Sequence, residues 1–152
     1  MSLLRMSLYT YASPQVIAAL IKSGTVNKDW AVVDVRDDDF LGGHIPGCHH
    51  VASIVFREEC RSLIERLKDI PHVFFHCALS QQRGPSAANT YAVMREECLE
   101  KGLIKSSLPF GPEARCRDEA QQIIVLRGGF TEWAKQYRDD PELIEGLNPS
   151  MW

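Results

Sequence analysis

The sequence predicts an α/β domain, with a central parallel sheet and helices on both faces. Three observations predict it. Short apolar runs, "WAVVDV" (30–35), "HVFFH" (72–76) and "QIIVL" (122–126), have the length and β-branched or aromatic content of strands covered on both sides. Helix-period segments stand between them. Strand–helix–strand alternation places successive strands parallel, with the helices packed against the sheet. The 152 residues, 45% of them apolar, suffice for one core and read as a single domain, 1–152.

The elements follow in chain order. In "SPQVIAALIKSG", Ser13 suits an N-cap, Pro14 the first helical position and Gly24 the C-cap. After the strand at 30–35, "RDDDFLGGHIPG" is loop and turn. The segment 55–70 places Phe56, Cys60, Leu63, Ile64 and Leu67 on one helical face, and Pro71 is expected to end it. The strand 72–76 leads through a loop to a long helix, 85–102, closed by Gly102. "LIKSSLPFGPEARCRDEAQ" carries two prolines and mixed charge and reads as an inserted connection or a short extra helix. The third strand, 122–126, an "RGG" turn and a helix over 130–137 complete the pattern, with Phe130 and Trp133 expected in the core. The tail after Tyr137 is polar, holds two prolines and is expected to wrap the surface.

Composition excludes several classes. A net charge of −3 gives no global reason for a nucleic-acid or anionic-membrane partner. No apolar run reaches the roughly 18 residues of a spanning helix, and "MSLLRMSLYTY" lacks the apolar stretch of a signal peptide, its first residues reading as an expression leader. The five cysteines, Cys48, Cys60, Cys77, Cys98 and Cys116, are odd in number and include no C-x-x-C pair. No zinc or other metal site is expected. A reduced, cytoplasmic chain with one functional thiol is. Cys60 and Cys98 fall on helices, where packing is the default.

The chemistry concentrates in "HCALSQQRGPSAA". In open parallel sheets, ligands bind beyond the carboxyl ends of the strands, and Cys77 sits at such an end. The residues after it, Ala78, Leu79, Ser80, Gln81, Gln82 and Arg83, form a loop that turns into a helix. A loop entering a helix aims backbone N–H groups at one point, and the helix dipole adds roughly half a positive charge. Arg83 adds a planar fork of donors suited to an oxyanion. The same field favours a thiolate, the nucleophilic form of cysteine. A lone cysteine after a strand is more often a small buried hydrophobe. The order strand, cysteine, five-residue spacer, arginine, Gly-Pro, helix is what points to a nucleophile with an oxyanion cradle.

These residues resemble a known family. "HCALSQQR" is similar to the His-Cys-(five residues)-Arg loop of cysteine-based phosphatases and eukaryotic arsenate reductases. "VVDVRDDDFLGGHIPGCHHV" resembles the rhodanese signature, and "IIVLRGGFTEWAKQY" resembles the last strand and helix of rhodanese domains. The likeness spans about residues 13–138 and implies a rhodanese-like fold, in the group that holds the cell-division-cycle tyrosine phosphatases and the arsenate/antimonate reductases. Cys77 to Arg83 inclusive is seven residues. The phosphatase and reductase branch has seven and sulfurtransferases typically six, which ranks sulfurtransfer third.

Departures from the pattern order the first two. The cell-cycle phosphatases carry acidic residues in the loop, whereas "ALSQQ" has none. Their second cysteine is Val35 here, and the Ser or Thr that often follows the arginine is Gly84, with Ser80 and Ser86 as candidate replacements. The resemblance therefore implies thiol-dependent reduction of arsenate or antimonate at Cys77. No bound cofactor is implied; glutathione is the reductant, and a glutaredoxin-like protein the protein partner. A dual-specificity or tyrosine phosphatase acting on a phosphoprotein through a phosphocysteine is the alternative. By the same likeness Asp34, Arg36 and His44 are structural, and His76 holds the loop by hydrogen bonding. His49 and His50, beside Cys48, are weak metal candidates.

Overall fold

The structure is a computed structural model that describes residues 8–108 and 120–151. Five parallel strands lie in the order β1-β5-β4-β2-β3. These are β1 (Thr10–Ala12), β2 (Trp30–Asp34), β3 (His49–His50), β4 (His72–His76) and β5 (Gln122–Leu126). The three central strands are those their apolar runs predict. The two edges were not predicted: each is only two or three residues long and too short to show an alternation of its own. β1 is held by pairing of Thr10, Tyr11 and Ala12 with Ile124, Val125 and Leu126. β3 is held by pairing with Val33 and Asp34.

Four helices cover the sheet: α1 (Pro14–Ser23), α2 (Phe56–Leu67), α3 (Arg83–Glu100) and α4 (Gly129–Tyr137). Ser13 caps α1, its hydroxyl accepting the Val16 N–H at 3.3 Å. On one face, α2 and α3 bury Phe56, Cys60, Leu63, Ile64, Leu67, Ala88, Tyr91 and Ala92 against Val33, Val73, Phe75 and Val125. On the other, α1 and α4 bury Ile17, Ile21, Phe130 and Trp133 against Val32, Phe74 and Ile124. Successive side chains of a strand point to opposite faces, so Val73 and Phe75 serve one core while Phe74 serves the other.

Several boundaries differ from expectation. α2 ends at Leu67, four residues before Pro71, and a 3-10 turn at Ser53–Val55 precedes it. α3 begins at Arg83, not Pro85, which puts the arginine in the first helical turn. Gly102 then adopts φ +68° past its end. The tail is less polar in effect than in composition: Leu143 and Ile144 are buried, and the Leu143 carbonyl accepts from Trp133 Nε1 at 2.9 Å. Cys116 and most of the inserted connection lie outside the described residues. No helix among those described is long and apolar enough to cross a membrane.

Candidate active site

Cys77 follows β4 and is 3% exposed. Two backbone N–H groups converge on its sulfur, from Ser80 at 3.2 Å and from Gly84 at 3.3 Å. The first comes from the loop and the second from the opening turn of α3, where N–H groups have no intrahelical acceptor. Gly84 packs closely on β4 there: a Cβ would sit 3.4 Å from the Cys77 nitrogen, in ordinary contact. Of the two serines considered as replacements, Ser80 contributes through its N–H, while Ser86 is exposed on α3. Ser80 reaches this position at φ +55°, a conformation costly for a residue with a side chain.

The carbonyls of the loop are drawn away by α4. The Phe130 N–H donates to the Cys77 carbonyl at 2.9 Å, and the Thr131 N–H to the Ala78 carbonyl at 3.0 Å. Gly129, at φ +63°, allows the approach, since a Cβ there would lie 2.3 Å from the Ala78 oxygen. His76 Nδ1 lies 3.2 Å from the same Cys77 carbonyl, consistent with a loop-holding hydrogen bond. With both carbonyls engaged on that side, the loop presents N–H groups to the sulfur. Leu79, Gln81 and Gln82 are exposed on the rim. In sequence, "RGG" reads as a turn within the rhodanese-like last strand and helix, not as a contact to the cysteine loop. The one visible signal of that contact is the pair of glycines one residue past the strand.

Arg83 is engaged by two carboxylates of the loop after β2. Its fork pairs with Asp39 at 2.9 and 2.7 Å and with Asp37 at 3.1 Å. Asp37 also accepts from the Ser53 hydroxyl at 2.6 Å and the Ile54 N–H at 3.1 Å. Asp39 is held below the usual carboxylate range, chiefly by its hydrogen bonds to Arg83. Burial raises Asp37, but Ser53, Ile54 and Arg83 more than offset it. Both carboxyls are therefore ionised at neutral pH. In sequence these aspartates read as part of a loop, and the charge run "RDDD" is the available signal.

Beneath the site lies a second pair. Arg36 and Asp34, both 0% exposed, join through Arg36 Nη2 at 2.7 Å and Nε at 3.1 and 3.2 Å, and Arg36 Nη2 also donates to the Gly43 carbonyl at 2.8 Å. The Arg36 guanidinium lies 4.1 Å from the Phe130 ring centroid. Burial raises the Asp34 carboxyl, but His76, where acid protonates it, and Arg36 pull it below its ordinary value. Burial lowers His76, leaving it neutral near pH 7. His44 pairs with Glu145 at 2.8 Å. His49 and His50 bond Asn27 and the Arg36 carbonyl, and among the described residues no His, Cys, Asp and Glu cluster suits a metal. Burial pushes the Cys48 and Cys60 thiols up to about 12, so neither competes as a nucleophile.

A buried thiol at a strand end, cradled by N–H groups at a helix start and followed by an arginine, is the arrangement expected of a cysteine-dependent oxyanion site. A family model for the rhodanese-like domain matches residues 13–136, and the chain belongs to that family. It is 36% identical to the CDC25-like phosphatase YCH1 of Saccharomyces cerevisiae, over 93% of each chain. It is 38% identical to arsenate reductase 2.2 of Oryza sativa subsp. japonica, over 68% of each. Among solved structures, that of Ygr203w, described as a yeast protein tyrosine phosphatase of the rhodanese family, superimposes with a TM-score of 0.70 at 30% identity, covering 97% of this chain and 99% of that one.

Proposed function

We propose that the protein is a reductase of arsenate or antimonate in a reducing, cytoplasmic setting, with Cys77 as nucleophile and glutathione as electron donor. The observation that carries this is the composition of the cradle. Two N–H groups focus on Cys77, and the carboxylates near the loop, Asp37 and Asp39, are ionised and engaged with Arg83. A phosphatase acting on a poor leaving group gains roughly 10²–10⁴-fold from a positioned acid. Arsenate needs less, because an oxide leaves as water with protons that solvent can supply.

The steps balance. Cys77 thiolate attacks arsenic and water departs, giving a sulfur–arsenic(V) bond. Glutathione thiolate attacks the Cys77 sulfur; the sulfur–arsenic bond breaks, its electron pair reduces arsenic to the trivalent state, and arsenite leaves. A second thiol, from glutathione or a glutaredoxin-like protein, displaces Cys77 from the mixed disulfide. The sum is arsenate plus two thiols giving arsenite, disulfide and water.

Hydrolysis of activated aryl phosphates is the second reading. Its support is the likeness to YCH1, which extends over 93% of both chains. One cradle accommodates either tetrahedral anion. The test compares glutathione-dependent arsenite production with p-nitrophenyl phosphate hydrolysis on one preparation. Cys77→Ser is expected to abolish both activities, and Cys48→Ser to retain most of each. Vigorous hydrolysis of an unactivated phosphopeptide, with no arsenite under any thiol system, reverses the order.

A further inference from the structure

Beside the cradle, a groove of about 350 Å³ runs between the start of α2 and the first turns of α3. Ser53, Phe56 and Arg57 line one side, and Arg83, Ser86 and Thr90 the other. The volume falls in the roughly 300–1,000 Å³ range of small-molecule sites. Arg83 belongs to both the groove and the catalytic loop, so the two are contiguous. The charged side chains lining the groove are Arg57 and Arg83, and no carboxylate lines it. Asp37 and Asp39, which hold Arg83, stand outside that lining. Arg57 is exposed and has no ion-pair partner among the described residues.

We infer that this groove seats the thiol that resolves the Cys77 adduct, and that the thiol is a small carboxylate-bearing molecule of the glutathione type. This rests on the thiol-resolved reading above. An unpaired arginine at a groove rim fits a carboxylate in two-pronged fashion. The Ser53, Ser86 and Thr90 hydroxyls provide donors and acceptors for peptide groups. A tripeptide thiol with a carboxylate at each end would anchor one end on Arg57 and direct its central sulfur toward the loop. There it attacks the Cys77 sulfur, forms the mixed disulfide and sends the electron pair of the broken sulfur–arsenic bond to arsenic. Arg57 is a positioning residue, because it touches the co-substrate away from the reacting atoms.

The experiment uses the full chain as wild type, Arg57→Ala, Arg57→Glu and Arg57→Lys, with two readouts. The first is steady-state arsenate reduction, giving KM for glutathione and for arsenate separately. The second is the rate at which the reduced enzyme forms a Cys77 mixed disulfide with oxidised glutathione, against the uncharged hydroxyethyl disulfide. Arg57→Ala should raise the glutathione KM about three- to fivefold and Arg57→Glu about tenfold, with Arg57→Lys, which keeps the charge and loses the fork, between wild type and Arg57→Ala and the arsenate KM unmoved. The reaction with oxidised glutathione should slow in parallel and that with hydroxyethyl disulfide should not. If neither readout moves while arsenite is still made, the groove assignment fails and the reductase stands. If Arg57→Glu raises the arsenate KM instead, the groove serves the oxyanion and the assignment also fails. If wild type makes no arsenite but the variants react selectively slowly with oxidised glutathione, the thiol site stands and the reductase reading falls.

Discussion

Two arginine–aspartate pairings draw their carboxylates from the same short segment, 34–39, and do opposite work. Arg36–Asp34 is sealed, both side chains 0% exposed, and its fork is shared among the carboxylate and two backbone carbonyls. Arg83 with Asp37 and Asp39 is half open, its side chain 32% exposed. The contacts are similar, but the surroundings differ. Removing one partner of a buried pair leaves an uncompensated charge away from water and costs about 3–5 kcal/mol. An exposed pair is worth about 0.2–1 kcal/mol, because water and salt replace either partner cheaply. The sealed pair is therefore framework, carrying β2 onto Phe130 beneath the loop. The open pair can exchange: Arg83 can leave its aspartates at small cost, as the proposed oxyanion cradle requires.

The sharpest break in this comparison is Asp34→Ala. It should lower unfolding free energy by about 3–5 kcal/mol, measured by urea denaturation. A loss under 1 kcal/mol would show that the buried pair is not framework. Arg83→Lys should do the reverse. Folding stability should stay within about 1 kcal/mol of wild type, while kcat/KM for an oxyanion substrate falls about 10²–10³-fold, the usual cost of losing one well-placed donor to a developing anion. Unchanged turnover would remove Arg83 from the cradle.

Gly129→Ala tests the buttress between α4 and the loop. Strain at φ +63° and the 2.3 Å approach to the Ala78 oxygen should cost about 1–3 kcal/mol and reduce turnover by moving the loop carbonyls. An active and equally stable variant would make the buttress incidental. The buried site also has a pH signature. His76 is held below its ordinary pKa by burial, so the unfolded chain binds the proton more readily than the folded one. Its contribution is complete above about pH 6.5 and is lost as the pH falls below that toward the lowered folded value. His76→Asn, which can keep a donor to the Cys77 carbonyl, should flatten that acid-side slope in denaturation curves. The smallest effect is expected from Asp39→Asn. Freeing part of the Arg83 fork should tighten oxyanion binding by at most about fivefold, read as a lower Ki for inorganic phosphate. Weaker binding would mean that Asp39 orients Arg83 and does not compete for it.

The sequence alone determined the parts whose information is local. Three strands were legible because "WAVVDV", "HVFFH" and "QIIVL" are apolar on both faces. α2 was legible because Phe56, Cys60, Leu63, Ile64 and Leu67 share one stripe, and all five are buried. The candidate nucleophile was legible because a strand, cysteine, short loop, arginine and helix adjoin in sequence. Tertiary structure decided whatever depends on distant residues meeting. β1 and β3 exist because β5 and β2 offer them hydrogen bonds, and no periodicity of two or three residues announces that. Gly129 reaches Ala78 only because the ends of β4 and β5 lie side by side in a parallel sheet. Arg83 meets Asp37 and Asp39 across 46 and 44 residues of chain, because the loop after β2 and the loop after β4 emerge at the same edge. Parallel strands bring their carboxyl ends together, so a loop that reads locally as a charge run becomes the partner of the arginine that opens the helix after Cys77.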